Sequence, residues 1–177
     1  MKKIIFCFTI GAFLLSCNNS GEKTAATTAD SSTKSTVDLP YKASYSSNFT
    51  QDVSDADLKL VMQSYKDWET GNMPGLGSAI GDSVEVDFNN GNHFKGTNAN
   101  LLKIWSTLRD SLSSVAIEME AWHKMYEPVK KESYVVTWYK ETDTYKMGKV
   151  DSGWYHDINQ VKNGKITYYR QYKRPAK

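Results

Sequence analysis

The sequence predicts an α+β domain, a curved antiparallel sheet with its helices gathered on one face, and three observations carry that prediction. Apolar residues recur at helical spacing between residues 54 and 112, the period changes to two after Ser114, and Asn163-Gly164 places a hairpin turn near the end. Helices first and strands second is the order such a domain needs.

Each element can be justified in turn. The domain begins at about residue 51. Ser54, followed by Asp55 and Asp57, offers an N-cap and first-turn acids that complement a helix dipole. Leu58, Val61, Met62, Tyr65 and Trp68 then share a helical face, and Gly71 supplies the stop. Pro74 suits the first turn of a short second helix. Val84, Val86 and Phe88 alternate with Glu85 and Asp87, as in a half-buried strand, and Asn89-Asn90-Gly91 turns the chain. His93, beside Gly91 and Asn92, is expected on a loop. A further helix opening at Thr97 or Asn98 carries Leu101, Ile104, Trp105, Leu108 and Leu112 on one side.

In the second half, Val115, Ile117, Met119, Ala121, His123 and Met125 form one face of a long strand, with Glu118, Glu120, Trp122 and Lys124 on the other. A turn at Glu127-Pro128 leads to a strand over about 132–142, a third covers 150–161, and a last one 166–173. Asn163-Gly164 suits a two-residue turn with positive φ between the last two. The expectation is a four-strand antiparallel meander, preceded by one strand between the helices.

The N-terminus has a different character. Lys2 and Lys3 precede an apolar run from Ile4 to Leu15, which ends in Leu14-Leu15-Ser16-Cys17. The run has the length of a signal-peptide core and is too short for the roughly 20 residues of a membrane span. The segment resembles the lipobox signal of bacterial lipoproteins. That resemblance implies a signal peptide over residues 1–16, acylation of Cys17, and a protein anchored by lipid to a membrane of the bacterial cell envelope. From Asn18 to Pro40 small polar residues dominate and no aromatic occurs, so no core can form. Residues 17–50 therefore read as the lipidated cysteine and a tether. Tyr41, Tyr45 and Phe49 recur every fourth position at its end, where they could lie against the domain.

Composition excludes several classes. Removal of Lys2 and Lys3 with the signal brings 22 basic residues level with the 20 acidic ones, so nothing supports nucleic-acid binding. Cys7 falls in the signal and Cys17 at the anchor, which leaves the domain without disulfide, zinc thiolate or cysteine nucleophile. The histidines, His93, His123 and His156, show no short-range ligand spacing, and no glycine-rich phosphate loop is present. Neither a metal nor a cofactor is expected.

The segment Asp82-Ser83-Val84-Glu85-Val86-Asp87-Phe88 followed by Phe94-Lys95-Gly96, the hairpin Val161-Lys162-Asn163-Gly164-Lys165-Ile166 and the closing Gln171-Tyr172 stand in an order that resembles the nuclear transport factor 2-like superfamily, and within it the SnoaL-like group. The likeness covers about residues 52–174. It implies a cone-shaped fold with a pocket between sheet and helices, and a superfamily that hosts isomerases, cyclases, dehydratases, small-molecule binders and interaction domains. It also implies that Asp157, four residues before Val161, points into the pocket. In the ketosteroid isomerase branch an acid at this place stays protonated and donates to an oxyanion. Alternation groups Tyr155, Asp157, Asn159 and Val161 on one face and Trp154, His156 and Ile158 on the other, unless a bulge at Gly153 exchanges the two.

Asp157 and His156 are therefore the candidate catalytic residues, and Tyr65, Trp105, His123, Trp138, Tyr155 and Asn159 the candidate ligand contacts. The leading expectation is a lipid-anchored envelope domain that binds a small, largely apolar molecule in its cone, without demonstrated catalysis. The alternatives are an acid–base isomerase, cyclase or dehydratase using Asp157, and a dimerisation or interaction module. Large side chains on both faces of the strands suggest a homodimer through the outer sheet face.

Overall fold

The structure is a computed structural model and describes residues 37–176. Three helices, α1 (Asp55–Thr70), α2 (Met73–Ala79) and α3 (Asn98–Asp110), pack on one sheet. Its strands are β1 (Ile80–Asp87), β2 (His93–Thr97), β3 (Leu112–Glu127), β4 (Glu132–Tyr145), β5 (Val150–Lys162) and β6 (Lys165–Pro175), in spatial order β2-β1-β6-β5-β4-β3. No helix among the described residues is long and apolar enough to cross a membrane.

Local chemistry sets the helix ends. The Ser54 hydroxyl accepts from the Asp57 amide at 3.0 Å, and Gly71 closes α1 in the left-handed region at φ 74°. Asn72 and Pro74 open α2, and Thr97 caps α3. Arg109 reaches back from α3 to the carbonyls of Trp68 and Glu69 at the end of α1, at 3.1 and 3.2 Å. Val61, Leu101, Val86, Val135, Tyr139 and Ile166 are the best-buried members of the core between helices and sheet.

The sheet departs from the sequence expectation in two ways. His93 does not sit on a loop; it opens β2, which pairs antiparallel with β1. Only Phe94 and Gly96 of this short edge strand are partly covered, so it carries too little alternation to be read from sequence. β1 also runs parallel to β6, which makes the sheet mixed, while β3 to β6 form the expected antiparallel meander. At the last hairpin Asn163 and Gly164 adopt φ 53° and 67°, as an Asn-Gly turn requires.

Registers decide which side chains face the helices. β4 and β5 pair without interruption from Ser133↔Val161 to Thr144↔Val150, so no bulge occurs at Gly153. Gly153 instead makes room: a Cβ there would meet the Lys173 side chain at 2.6 Å. β3, by contrast, bulges at Glu120, where Met119 pairs Tyr139 and Ala121 pairs Trp138. Alternation reverses beyond that point. Trp122, Lys124 and Tyr126 stand opposite Thr137, Val135 and Ser133, and Lys124 reaches Asp55 of α1 at 2.9 Å. His123 and Met125 are thereby turned to the outer face.

The chain before α1 is fastened along β3. Thr50 and Tyr126 exchange backbone hydrogen bonds, Ser46 donates to Glu127, and Phe49 packs edge-on against Tyr134. The Tyr45 hydroxyl donates to Glu132, and Lys130 lies over the Tyr45 ring. Tyr41 remains exposed. The signal segment 1–16, Cys17 and the tether up to residue 36 lie outside the described residues.

Candidate functional site

Between the inner sheet face and helices α1 and α3 lies a cavity of about 400 Å³. Leu76, Ile104, Trp105 and Leu108 from the helices and Ile80 and Ile166 from the strands give it an apolar and aromatic part, and Asn89, Asn90, Asn92, Asp151 and Lys173 also line it. Its floor is polar. Tyr65, Tyr139, Asn159, Tyr169 and Gln171 come from α1 and three adjacent strands, where even spacing along β4, β5 and β6 directs them inward.

Asp157 organises this floor from behind. It has no solvent exposure and does not reach the cavity wall. Its Oδ2 accepts from the hydroxyls of Tyr65, Tyr139 and Tyr169 at 2.9, 2.7 and 2.9 Å. Its Oδ1 has no partner among the described residues. A second layer holds the phenols in turn. Gln171 Nε2 donates to Tyr139 and Tyr169 at 3.2 and 2.6 Å, and Asn159 Nδ2 donates to Tyr65 and to the Val135 carbonyl at 3.1 and 3.2 Å. Because the single Tyr65 proton goes to Asp157, the Thr137 hydroxyl, 2.7 Å away, donates to Tyr65.

Burial disfavours the charged form of Asp157 and pushes it up to about 7, although the three phenols and Gln171 pull the other way. The tyrosines are raised well above 10.0, first by burial and then by the nearby Asp157 charge. A second acidic group sits higher in the cavity. Glu141, 7 % exposed, is pushed up to about 8 by burial, then by the charges of Asp143 and Asp157, against an interaction with Trp68. Asp143 is also raised, chiefly by burial, and its Oδ1 is unpartnered. Lys173 at the same level is paired with Asp151 at 2.7 Å.

The structure brings Tyr65, Trp105, Tyr155 and Asn159 to the cavity wall and does not bring the other candidates there. His123 and Trp138 face outward, His123 because of the Glu120 bulge and Trp138 because it alternates with the buried Thr137 and Tyr139. His156 is outward as well, stacked on Trp138 at 4.9 Å and tilted against Tyr172 at 5.9 Å. It lies across the sheet from the Asp157 carboxyl and cannot share a proton with it. Asp157 is inward, yet behind the phenols rather than in the pocket. Cys17 lies outside the described residues.

Sequence reasoning passed over Glu141, Asp143, Tyr139, Tyr169 and Gln171. A signal existed: Val135, Thr137, Tyr139, Glu141 and Asp143 occupy alternate positions, so an inward Val135 carries two acids inward with it. Acids at such positions read as a solvated face unless the burial of the strand is known.

No known family model matches the sequence, and no curated protein matches it. Solved structures do resemble it in fold. A LEH-like epoxide hydrolase from M. tuberculosis superposes with a TM-score of 0.57 at 12 % identity, over 67 % of this chain and 83 % of that one. A putative dehydratase of the NTF2-like family from Streptomyces avermitilis gives 0.57 at 12 % identity, over 70 % of this chain and all (100 %) of that one. An NTF2-like protein from Anabaena variabilis gives 0.54 at 16 % identity, over 72 % and 96 %. At such identities the likeness is one of fold.

Proposed function

We propose that this domain, with its NTF2-like fold, binds a small molecule with a largely apolar body and one polar end. The supporting observation is the division of the cavity: aromatic and aliphatic walls above a floor of hydrogen-bonding groups held in place by a carboxylate that itself stays out of reach. Preorganised polar groups under an apolar chamber orient a ligand without the cost of ordering the site on binding. Titration with phenethyl alcohol, followed by NMR, should shift the Trp105 indole and the Tyr65 and Asn159 amides and leave the Trp138 indole unmoved. Shifts confined to the outer face, or no shift at millimolar concentration with this probe or with its ammonium and carboxylate analogues, would remove the reading.

A second reading rests on Glu141. A carboxyl at the cavity wall that holds its proton near neutrality beside a second acid has the properties of a general acid or base. Under that reading the domain is an acid–base enzyme, and the epoxide hydrolase among the structures of like fold makes a small aryl epoxide a reasonable first substrate. Hydrolysis of styrene oxide should then be lost in Glu141→Gln and kept in His156→Ala. Equal turnover in wild type and Glu141→Gln would sink it.

We also propose that Cys17 carries lipid and holds the domain at a membrane of the bacterial envelope. The support is the sequence from Lys2 to Cys17. Wild type should fractionate with membranes and show an acyl mass on its N-terminal peptide, and Cys17→Ala should do neither. A soluble, unacylated wild type would contradict the anchor.

A further inference from the structure

The hydrogen-bond inventory of the cavity floor says more about the ligand than its shape does. Every polar proton on the five floor side chains is already committed. The hydroxyl protons of Tyr65, Tyr139 and Tyr169 go to Asp157, both amide protons of Gln171 go to Tyr139 and Tyr169, and both of Asn159 go to Tyr65 and Val135. The Asn159 amide cannot be turned round, because the Val135 carbonyl can only accept. What remains for a ligand is a set of acceptors. Asn159 is 2 % exposed and lines the cavity, and among the described residues its side-chain bonds all run from Nδ2, leaving Oδ1 without a donor. One lone pair is left on each of the Tyr139 and Tyr169 oxygens, since each donates once and accepts once.

Charge points the same way. The carboxyl groups of Glu141, Asp143 and Asp151 line the cavity and that of Asp157 lies beneath it. The cations near them are engaged: Lys173 with Asp151, and Arg109 with the carbonyls of α1. The remaining free side-chain protons belong to lining residues outside the floor: the rings of Trp105, Tyr145 and Tyr155 and the amides of Asn89, Asn90 and Asn92. A carboxylate or phosphate head would meet acceptors on the floor, and its charge would oppose the ionisation of the acids around it. An alcohol has one proton for three acceptors and brings lone pairs that find no donor on the floor.

We propose, on the strength of the ligand-binding reading above, that the polar end of the ligand is a primary ammonium carried on a small aryl or alkyl body. An ammonium has three protons and no lone pair, which matches Asn159 Oδ1 and the Tyr139 and Tyr169 oxygens in number and in kind. Glu141 and Asp143 supply the counter-charge, and the faces of Trp68, Trp105 and Tyr155 supply a wall that attracts cations. Burial, with the charges of Asp143 and Asp157, pushes Glu141 up to about 8; a cation beside it favours the ionised form and offsets that cost.

The test compares three probes of one shape on the full chain at neutral pH: phenethylammonium, phenethyl alcohol and hydrocinnamate, by calorimetry and by shifts at Trp105 and Asn159. Phenethylammonium should bind at least tenfold more tightly than the alcohol, and hydrocinnamate should not bind measurably. The isosteric changes Glu141→Gln and Asp143→Asn should each remove most of that preference, with the wild-type amide spectrum retained outside the cavity as the sign of an intact fold. Equal binding of alcohol and ammonium, or binding of hydrocinnamate as tight as either, overturns the ammonium and leaves the ligand-binding reading standing. If none of the three binds in the cavity, both fail.

Discussion

The domain is expected to lose stability as pH rises from the acid range to about 8, the reverse of the usual behaviour of acidic groups. Asp157 and Glu141 stand at ordinary values of 3.8 and 4.5 in an unfolded chain and are pushed up to about 7 and about 8 in the fold. A raised folded-state value means that the native state holds its proton more tightly than the unfolded one. That contribution is fully present below the unfolded values, declines through the window between unfolded and folded values, and is exhausted above about 8. At about 1.4 kcal/mol for each unit, Asp157 alone accounts for on the order of 4 kcal/mol. The two carboxyls influence each other, so their joint effect is smaller than the two taken separately. Asp87 has the opposite sign: hydrogen bonds from Tyr168, His93 and Arg170 hold it down to about 2, and its contribution is lost as pH falls toward that value. Stability should therefore peak in the mildly acid range. Denaturant melts across pH would show this, and Asp157→Asn, which keeps an oxygen for the three phenols, should flatten the descent. A stability that climbs steadily from acid to pH 8 would show that Asp157 and Glu141 are hydrated and ionised.

Insertion of one alanine after Trp122 is expected to cost about 3 kcal/mol or more, in the severe range for a single change, whereas Glu120→Ala should stay within about 0.5 kcal/mol. Glu120 is an exposed residue whose side chain makes no contact that matters to the core. Its backbone is the extra unit of the β3 bulge. The bulge absorbs one residue, so that Ala121 pairs Trp138 directly after Met119 pairs Tyr139; a further residue after Trp122 has no bulge to take it, and the second half of β3 must turn over or slip against β4. If the second half turns, His123 and Met125 replace Lys124 and Tyr126 beneath α1, and the Lys124–Asp55 pair and the Thr50–Tyr126 bridge are both broken. Thermal melts of the two variants beside wild type would measure the difference. An insertion variant that melts with wild type would mean that the strand can absorb the slip.

The same bulge marks the limit of what the sequence discloses. Everything governed by local period was legible: the Ser54 cap and Gly71 stop of α1, the start of α3 at Thr97, the Asn163-Gly164 turn, and the inward row Tyr155, Asp157, Asn159 and Val161. A bulge leaves no mark in the pattern around Glu120, because residues on both sides of it alternate correctly with the wrong phase. That is why His123 looked inward. The parallel pairing of β1 with β6 joins segments some eighty residues apart and is a matter of topology, on which alternation is silent. The acids Glu141 and Asp143 share the inward phase of Tyr139, and their charge argued against it. Burial of a charge is a property of the assembled cavity, and only the assembled cavity discloses it.

The strap ahead of α1 has a mechanical consequence. Thr50 and Tyr126 are joined by two backbone hydrogen bonds of 2.9 Å, with Ser46–Glu127, Tyr45–Glu132 and Phe49–Tyr134 beside them. Any tension delivered from the N-terminal side reaches these contacts before it reaches α1. They are made to the edge of β3 and to the first residues of β4, and none of them is part of the pairing of β3 with β4, which runs the length of both strands. The strap is thus a yielding link: a pull from that side would release residues 45–50 first, while the sheet behind them keeps its pairing.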